Sequence, residues 1–287
     1  MGPTRRWAVV LFGVLLLGLM LSACGGDDAD PTATSPAGAT TASVAAESPE
    51  AALIGKITVF AAASLTDAFT QLGEDLKADN PGLEIEFNFA GSQSLVTQLG
   101  QGAHADVFAS ADTKQMEAAQ DENVIANDPV IFTHNRLTII VPADNPGGIE
   151  APADLAKPGL KIVFANEEVP VGRYTGQVLD LMSADPAFGA DFRAQVEANI
   201  VSLEDNVKQV VTKVQLGEAD AGIVYTSDVT PAVRDDVATI EIPDDLNVIA
   251  EYPIALVSDG DANLGQAFID AVLSEAGQQA LADNGFR

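Results

Sequence analysis

Ser64 and Ser92 sit in settings suited to holding an anion. Ser64 lies in Ala61-Ala62-Ala63-Ser64-Leu65, between a short β run and an amphipathic stretch. Ser92 lies in Ala90-Gly91-Ser92-Gln93-Ser94-Leu95, in the same situation one unit later. A third segment of this design, Val169-Pro170-Val171-Gly172, precedes another helical stretch. Small residues let a ligand approach the backbone closely. Free N–H groups at a helix start point outward, and a serine hydroxyl adds a donor. Together they make an oxyanion site that needs no cation. The same serines also suit ordinary N-caps, which bind nothing. Tyr225, after Gly222-Ile223-Val224, offers a phenol that either donates to a ligand or closes the edge of the core.

Other chemistries find less support. No zinc-protease motif, P-loop, Gly-rich dinucleotide loop or nucleophile elbow occurs, so no enzyme is expected. His104 and His134 are the only histidines, and their spacing is not that of metal ligands. Asp106 and Asp112 form a conceivable carboxylate pair, but one opens a short strand and the other caps the next helical stretch, so both read as structural. Asp235, Asp236, Asp244 and Asp245 read as solvated turns.

The elements that must position these residues alternate between strand and helix. Residues 56–61 and 84–89 read as strands, the second with Ile85, Phe87 and Phe89 on one face. Leu65, Phe69, Leu72 and Leu76 mark a helix that Asn80-Pro81-Gly82 stops. Short apolar strands come next at 106–109, 137–141, 161–165 and 222–225, with helices near 114–120 and 175–182. Ser202, with Asp205 three residues on, is expected to cap the helix that carries Val207, Val210, Val211 and Val214. Residues 247–257 are extended with Pro253 inside, which predicts an edge or hinge-like strand. Residues 262–284 form one or two helices. The alternation predicts an α/β fold with mostly parallel sheets, and ligands then sit beyond the carboxyl ends of the strands.

Ahead of this lies a signal-like segment, 1–23: Arg5 and Arg6, an apolar run over 7–21, then Leu21-Ser22-Ala23-Cys24. The apolar run is shorter than the roughly 20 residues a membrane span prefers. Cys24 is the one cysteine, so no internal disulfide can form, and lipidation would consume its thiol. Residues 24–53 are rich in Ala, Thr, Ser and Pro and read as a lipid anchor and tether. The net charge of −28 becomes −30 once Arg5 and Arg6 are removed, which argues against nucleic acid as a partner.

KITVFAAASLTDAF (56–69), FAGSQSLVTQLGQGAHADVFASAD (89–112), EEVPVGRYTGQVL (167–179), EADAGIVYTSDV (218–229) and EYPIALV (251–257) resemble, in order and spacing, the molybdate-binding components of ABC importers, in lipoprotein form. The likeness spans roughly 55–287. It implies a two-lobed periplasmic-binding-protein fold of type II, with lobe 1 built from 54–134 and 250–287 and lobe 2 from 135–249. It implies molybdate or tungstate as ligand, no cofactor, a membrane permease as partner and a monomeric clamshell at the outer face of the cytoplasmic membrane. The family's contacts fall on Ser64, Ser92, Val171 and Val207 (the valines through backbone N–H) and Tyr225. Gly91 stands where a serine is common, and Val171 is bulkier than the usual alanine. Sulfate, thiosulfate or phosphate on the same fold, or a surface lipoprotein that binds a protein, remain the alternatives.

Overall fold

The structure, a computed structural model, describes residues 52–287. The signal segment, Cys24 and nearly all of the tether therefore lie outside the described residues. Strand β1 (Ile54–Ala62) enters the core gradually: exposed at Ile54, fully buried from Val59 on. Helix α1 (Thr66–Asp79) covers it with Ala68, Phe69 and Leu72. Asn80 ends that helix, donating its amide to Leu76 O and accepting Leu53 N–H. Strand β2 (Gly82–Ala90) then pairs parallel with β1, and α2 (Ser92–Gly100), β3 (Val107–Ala109) and α3 (Thr113–Asp121) complete a second βα layer.

Strand β4 (Val130–Pro142) is the longest strand and belongs to both halves of the molecule. Its first part pairs antiparallel with β9 (Ile249–Leu256) through Arg136↔Ile249. From Leu137 on it pairs with β7 (Ala221–Tyr225), and from Thr138 also with β8 (Val237–Glu241). Between these lie β5 (Ile162–Ala165), α4 (Pro170–Ala184), α5 (Phe192–Glu197), β6 (Ile200–Glu204) and α6 (Val207–Gln215). Helices α7 (Ala262–Leu273) and α8 (Glu275–Asp283) close the chain. The hydrogen-bonded order is β2-β1-β3-β9-β4-β7-β5-β6, with β8 beside β4. Each half is a mostly parallel α/β layer, and the antiparallel strands β4 and β9 run at their junction. This is the two-lobed architecture of periplasmic binding proteins.

Two expectations fail here. Pro253 does not mark an edge: β9 lies inside the sheet, between β3 and β4. The proline is tolerated because the β4 ladder slips its register between Ile131 and Thr133, opposite the position where Pro253 has no N–H to give. Its carbonyl still accepts Ser110 N–H at 2.9 Å. Nor does Ser202 cap α6, since it lies within β6. Asn206 does so instead, its Oδ1 accepting Gln209 N–H at 3.1 Å. Ser202 was a misleading signal because its hydroxyl is occupied beside Glu204 and Lys213.

Candidate functional site

A small pocket lies where the parallel strands end. Ser64, Ser92, Val171, Val207 and Tyr225 all line it. These five come from five different strand–helix connections or strand ends, so only the fold brings them together. The remaining lining is small or apolar: Ala62, Ala63, Ala90, Gly91, Ala111, Val169 and Pro170, together with Asn206.

Each donor has a local cause. Ser64 sits inside the short 3-10 turn Ala63–Leu65 that leads into α1, and Ser92 is the first residue of α2. Neither hydroxyl caps its helix, so the ordinary N-cap alternative does not describe them. Ser92 Oγ instead accepts Ala111 N–H at 3.1 Å, and Ser64 Oγ lies 3.0 Å from Tyr252 Oη. Helix α4 begins with Pro170, which has no N–H, so Val171 supplies the first backbone donor of that helix. Helix α6 begins with Val207 itself. The Asn206 cap takes Gln209 N–H and leaves that of Val207 without an intrahelical acceptor. Three helix N-termini thus converge with two hydroxyls and a phenol.

Tyr225 is 1% exposed, and its Oη has no hydrogen-bond partner. Tyr252 stands edge-on to it, ring centres 5.8 Å apart, without making a bond of acceptable geometry. A buried hydroxyl left unpaired costs free energy that a bound acceptor would recover. Burial pushes the phenol well above its usual titration range, so it remains protonated and able to donate.

No charged side chain lines the pocket. The charges around it are paired and tie the two halves together. Arg173 donates to Asp112 Oδ2 at 3.1 and 2.9 Å, and Lys208 reaches Asp67 at 2.7 Å. Gln93 donates to Asp205 O at 2.9 Å and Gln115 to Glu168 O at 3.0 Å. Gly91 belongs to this close approach. A Cβ there would meet Asp205 O at 2.4 Å, which is the physical reason a serine cannot stand at this position without a shift. Gly172 is as constrained, with Asn166 O 2.0 Å from where a Cβ would be.

Asp228 lies just behind Tyr225, fully buried. Its Oδ2 accepts Tyr225 N–H at 3.1 Å, and its other oxygen has no hydrogen-bond partner, with Lys208 at 3.7 Å. Burial raises its carboxyl to about 6, against the pull of Lys208 and the Tyr225 N–H. Asp106 and Asp112 are structural, as expected. Asp106 accepts the N–H groups of Thr58 and Asp261, each at 2.6 Å, and Asp112 caps α3 through Gln115 N–H at 2.8 Å. His104 is exposed beside Asp106, and no cluster of three metal-ligating side chains occurs among the described residues. No helix among them is long and apolar enough to cross a membrane.

Reading the sequence missed Asn206, Asp228 and Tyr252. An asparagine directly before an amphipathic run, with a glutamine three residues on, could have revealed the first. The roles of the other two depend on contacts that the chain makes only when folded, with Ser64 188 residues away for Tyr252 and with Lys208 at the start of α6 for Asp228.

Known proteins share this architecture. The bacterial extracellular solute-binding protein family matches residues 57–287. The molybdate-binding protein ModA of Mycobacterium tuberculosis (strain H37Rv) is 38% identical over 284 residues, covering 98% of each chain. The periplasmic molybdate-binding protein of Azotobacter vinelandii superposes with a TM-score of 0.69 at 17% identity, over 80% of this chain and 98% of its own. The sulfate-binding protein SubI of M. tuberculosis superposes at 0.72 with 18% identity, over 81% and 86%. Likeness at these two identities speaks for the fold and not for a ligand. With the family matched over its whole folded part and a relative matched nearly end to end, the chain belongs to the bacterial extracellular solute-binding proteins.

Proposed function

We propose that this protein binds molybdate, and tungstate equally well, outside the cytoplasmic membrane and delivers it to an ABC-type permease. The observation that carries the reading is the unpaired, buried Tyr225 hydroxyl in a pocket of neutral donors without a cation. The 38% identical relative is named for molybdate binding, which supports the choice of cargo. In the bound state Ser64, Ser92 and Tyr225 donate through hydroxyls and Val171 and Val207 through backbone N–H. Hydrogen bonds to a charged partner contribute about 1.5–3 kcal/mol each, and several in a water-poor cleft offset the cost of stripping a dianion.

In this reading the lobes comprise 54–134 with 250–287, and 135–249, and they close on the anion as a monomeric clamshell. No chemistry is performed on the cargo and no cofactor is involved. Cys24 carries a lipid anchor and 24–53 tethers the lobes near the permease. Sulfate is the second reading, since the same neutral donors suit any tetrahedral dianion. It is smaller than molybdate and would stretch the same donors, at about 1–3 kcal/mol for each bond left unmade. Calorimetric titration of the full-length protein with molybdate, tungstate and sulfate tests both. Tight one-to-one binding of the first two with sulfate silent is the expected result. Sulfate binding of comparable strength would replace the cargo, and silence with all three would end the oxyanion reading.

A further inference from the structure

The contacts that join the two halves around the pocket are not equivalent, because at Gly91 the halves meet backbone to backbone. Gly91 lines the pocket, and the Asp205 carbonyl of the other half stands directly against it. Gln93, the second residue of α2, curls back over this point. A Cβ on Gly91 would lie 2.5 and 2.6 Å from the Gln93 amide oxygen and nitrogen, so the amide fills the space that a side chain at 91 would need. Its Nε2 donates to Asp205 O at 2.9 Å. A flipped amide would set oxygen against that carbonyl, so Nε2 must face it. Oε1 is then left buried with no hydrogen-bond partner. Asp205 is itself held in place: its N–H goes to Gln209 Oε1 at 3.0 Å, and its carboxylate accepts from Asn166 Nδ2 at 3.3 Å. Gln93 directly follows the donor Ser92, and Asp205 comes two residues before the donor Val207. The bond between them therefore ties the start of α2 to the entry of α6.

We propose that Gln93 is a positioning residue for ligand retention: its bond to Asp205 O keeps the Ser92 and Val207 donors on one anion and so sets the rate at which that anion leaves. The inference rests on the oxyanion reading above and deepens it. Donor and acceptor belong to different halves, so the bond is lost when the halves part. The stranded Oε1 offsets part of the gain in the closed arrangement and regains water on opening. The bond therefore does not hold an empty cleft shut, and acts only once the anion draws both donors together. Gly91 is part of the device, since the amide has room only because residue 91 carries no side chain.

The test measures release of radiolabelled molybdate from the full-length protein into excess unlabelled molybdate, with Kd taken from calorimetry. Gln93→Met keeps the length of the side chain and removes the amide. Release should quicken about fivefold, and Kd should rise by the same factor, leaving the association rate unchanged. The thermal midpoint should fall in the presence of molybdate and stay where it is without it. Gln93→Asn carries the same amide one methylene short of Asp205 O and should behave as Gln93→Met does. Gln115→Met removes a bond of the same kind, to Glu168 O, away from Gly91, and should quicken release less. Unchanged release in Gln93→Met would overturn the proposal. So would a ligand-free midpoint that falls as far as the midpoint with molybdate, which would assign Gln93 to folding. Equal quickening by Gln115→Met would also overturn it, by spreading retention over the whole ring. Silence of the unaltered protein with molybdate, tungstate and sulfate would overturn the oxyanion reading and this proposal with it, whereas any of the other failures in a protein that binds molybdate overturns this proposal alone.

Discussion

Tyr225 keeps a buried hydroxyl without a partner, and Ser64 and Ser92 do not, so the three donors respond differently to removal. Tyr225→Phe should leave the ligand-free protein as stable as before, or more so, since the unpaired group costs about 1–3 kcal/mol. Its molybdate affinity should still fall by roughly tenfold or more, and thermal unfolding with and without molybdate separates the two effects. Ser64→Ala and Ser92→Ala should lower affinity by about 10- to 100-fold and also lower ligand-free stability, by about 1 kcal/mol each, because each loses an internal bond. Asp228 gives a pH signature. Its carboxyl titrates near 6 in the fold against an ordinary 3.8, so the folded state binds the proton more tightly than the unfolded one. Stability from this group is therefore greatest below the ordinary value and falls as pH rises through about 6. The difference is on the order of 2–3 kcal/mol. Asp228→Asn should flatten denaturant-midpoint profiles over that window; an unchanged slope would remove Asp228 as the cause.

The elements that aim the donors depend on caps and close approaches. Asn206→Ala should cost about 1 kcal/mol of stability. It should weaken molybdate binding as well, because Val207 N–H is aimed only while α6 starts where it does. Gly91→Ser places a side chain against Asp205 O, so affinity should fall while far-UV circular dichroism stays unchanged. At this scale the sequence was partly legible. Periodicity located β1, α1, β2 and α4, because their apolar faces repeat over many residues. The start of α6 was misassigned because Ser202 and Asp205 imitate a capping pair, and nothing local says that Ser202 continues a strand. Pro253 was misplaced for a related reason. A proline excludes a regular ladder, but a register slip in the partner strand is a property of that partner.

The whole molecule combines a net charge of −28 with a pocket proposed for a dianion. Long-range repulsion should slow association, and added salt should relieve it by screening. Stopped-flow association rates for molybdate are expected to rise with ionic strength; rates that fall would contradict local geometry as the source of binding. The cross-half contacts Asp112–Arg173, Asp67–Lys208, Gln93–Asp205 and Gln115–Glu168 ring the pocket. Ligand that binds only the closed arrangement should stabilise the folded state by about 2.7 kcal/mol at a hundred times its Kd.

By itself the sequence determined the α/β class, the small-residue connections that let an anion approach backbone, and the residue types able to donate. These are local properties, written in spacing and side-chain chemistry. That Ser64, Ser92, Val171, Val207 and Tyr225 share one pocket was implied by the family resemblance but not by any local property; they are spread over 162 positions of the chain and meet only through the strand order. Tertiary structure alone decided that Tyr225 is left unpaired and that Tyr252 reaches Ser64. The direction of a hydroxyl bond depends on which neighbours have already used their donors and lone pairs, and that is settled only when the whole network is assembled.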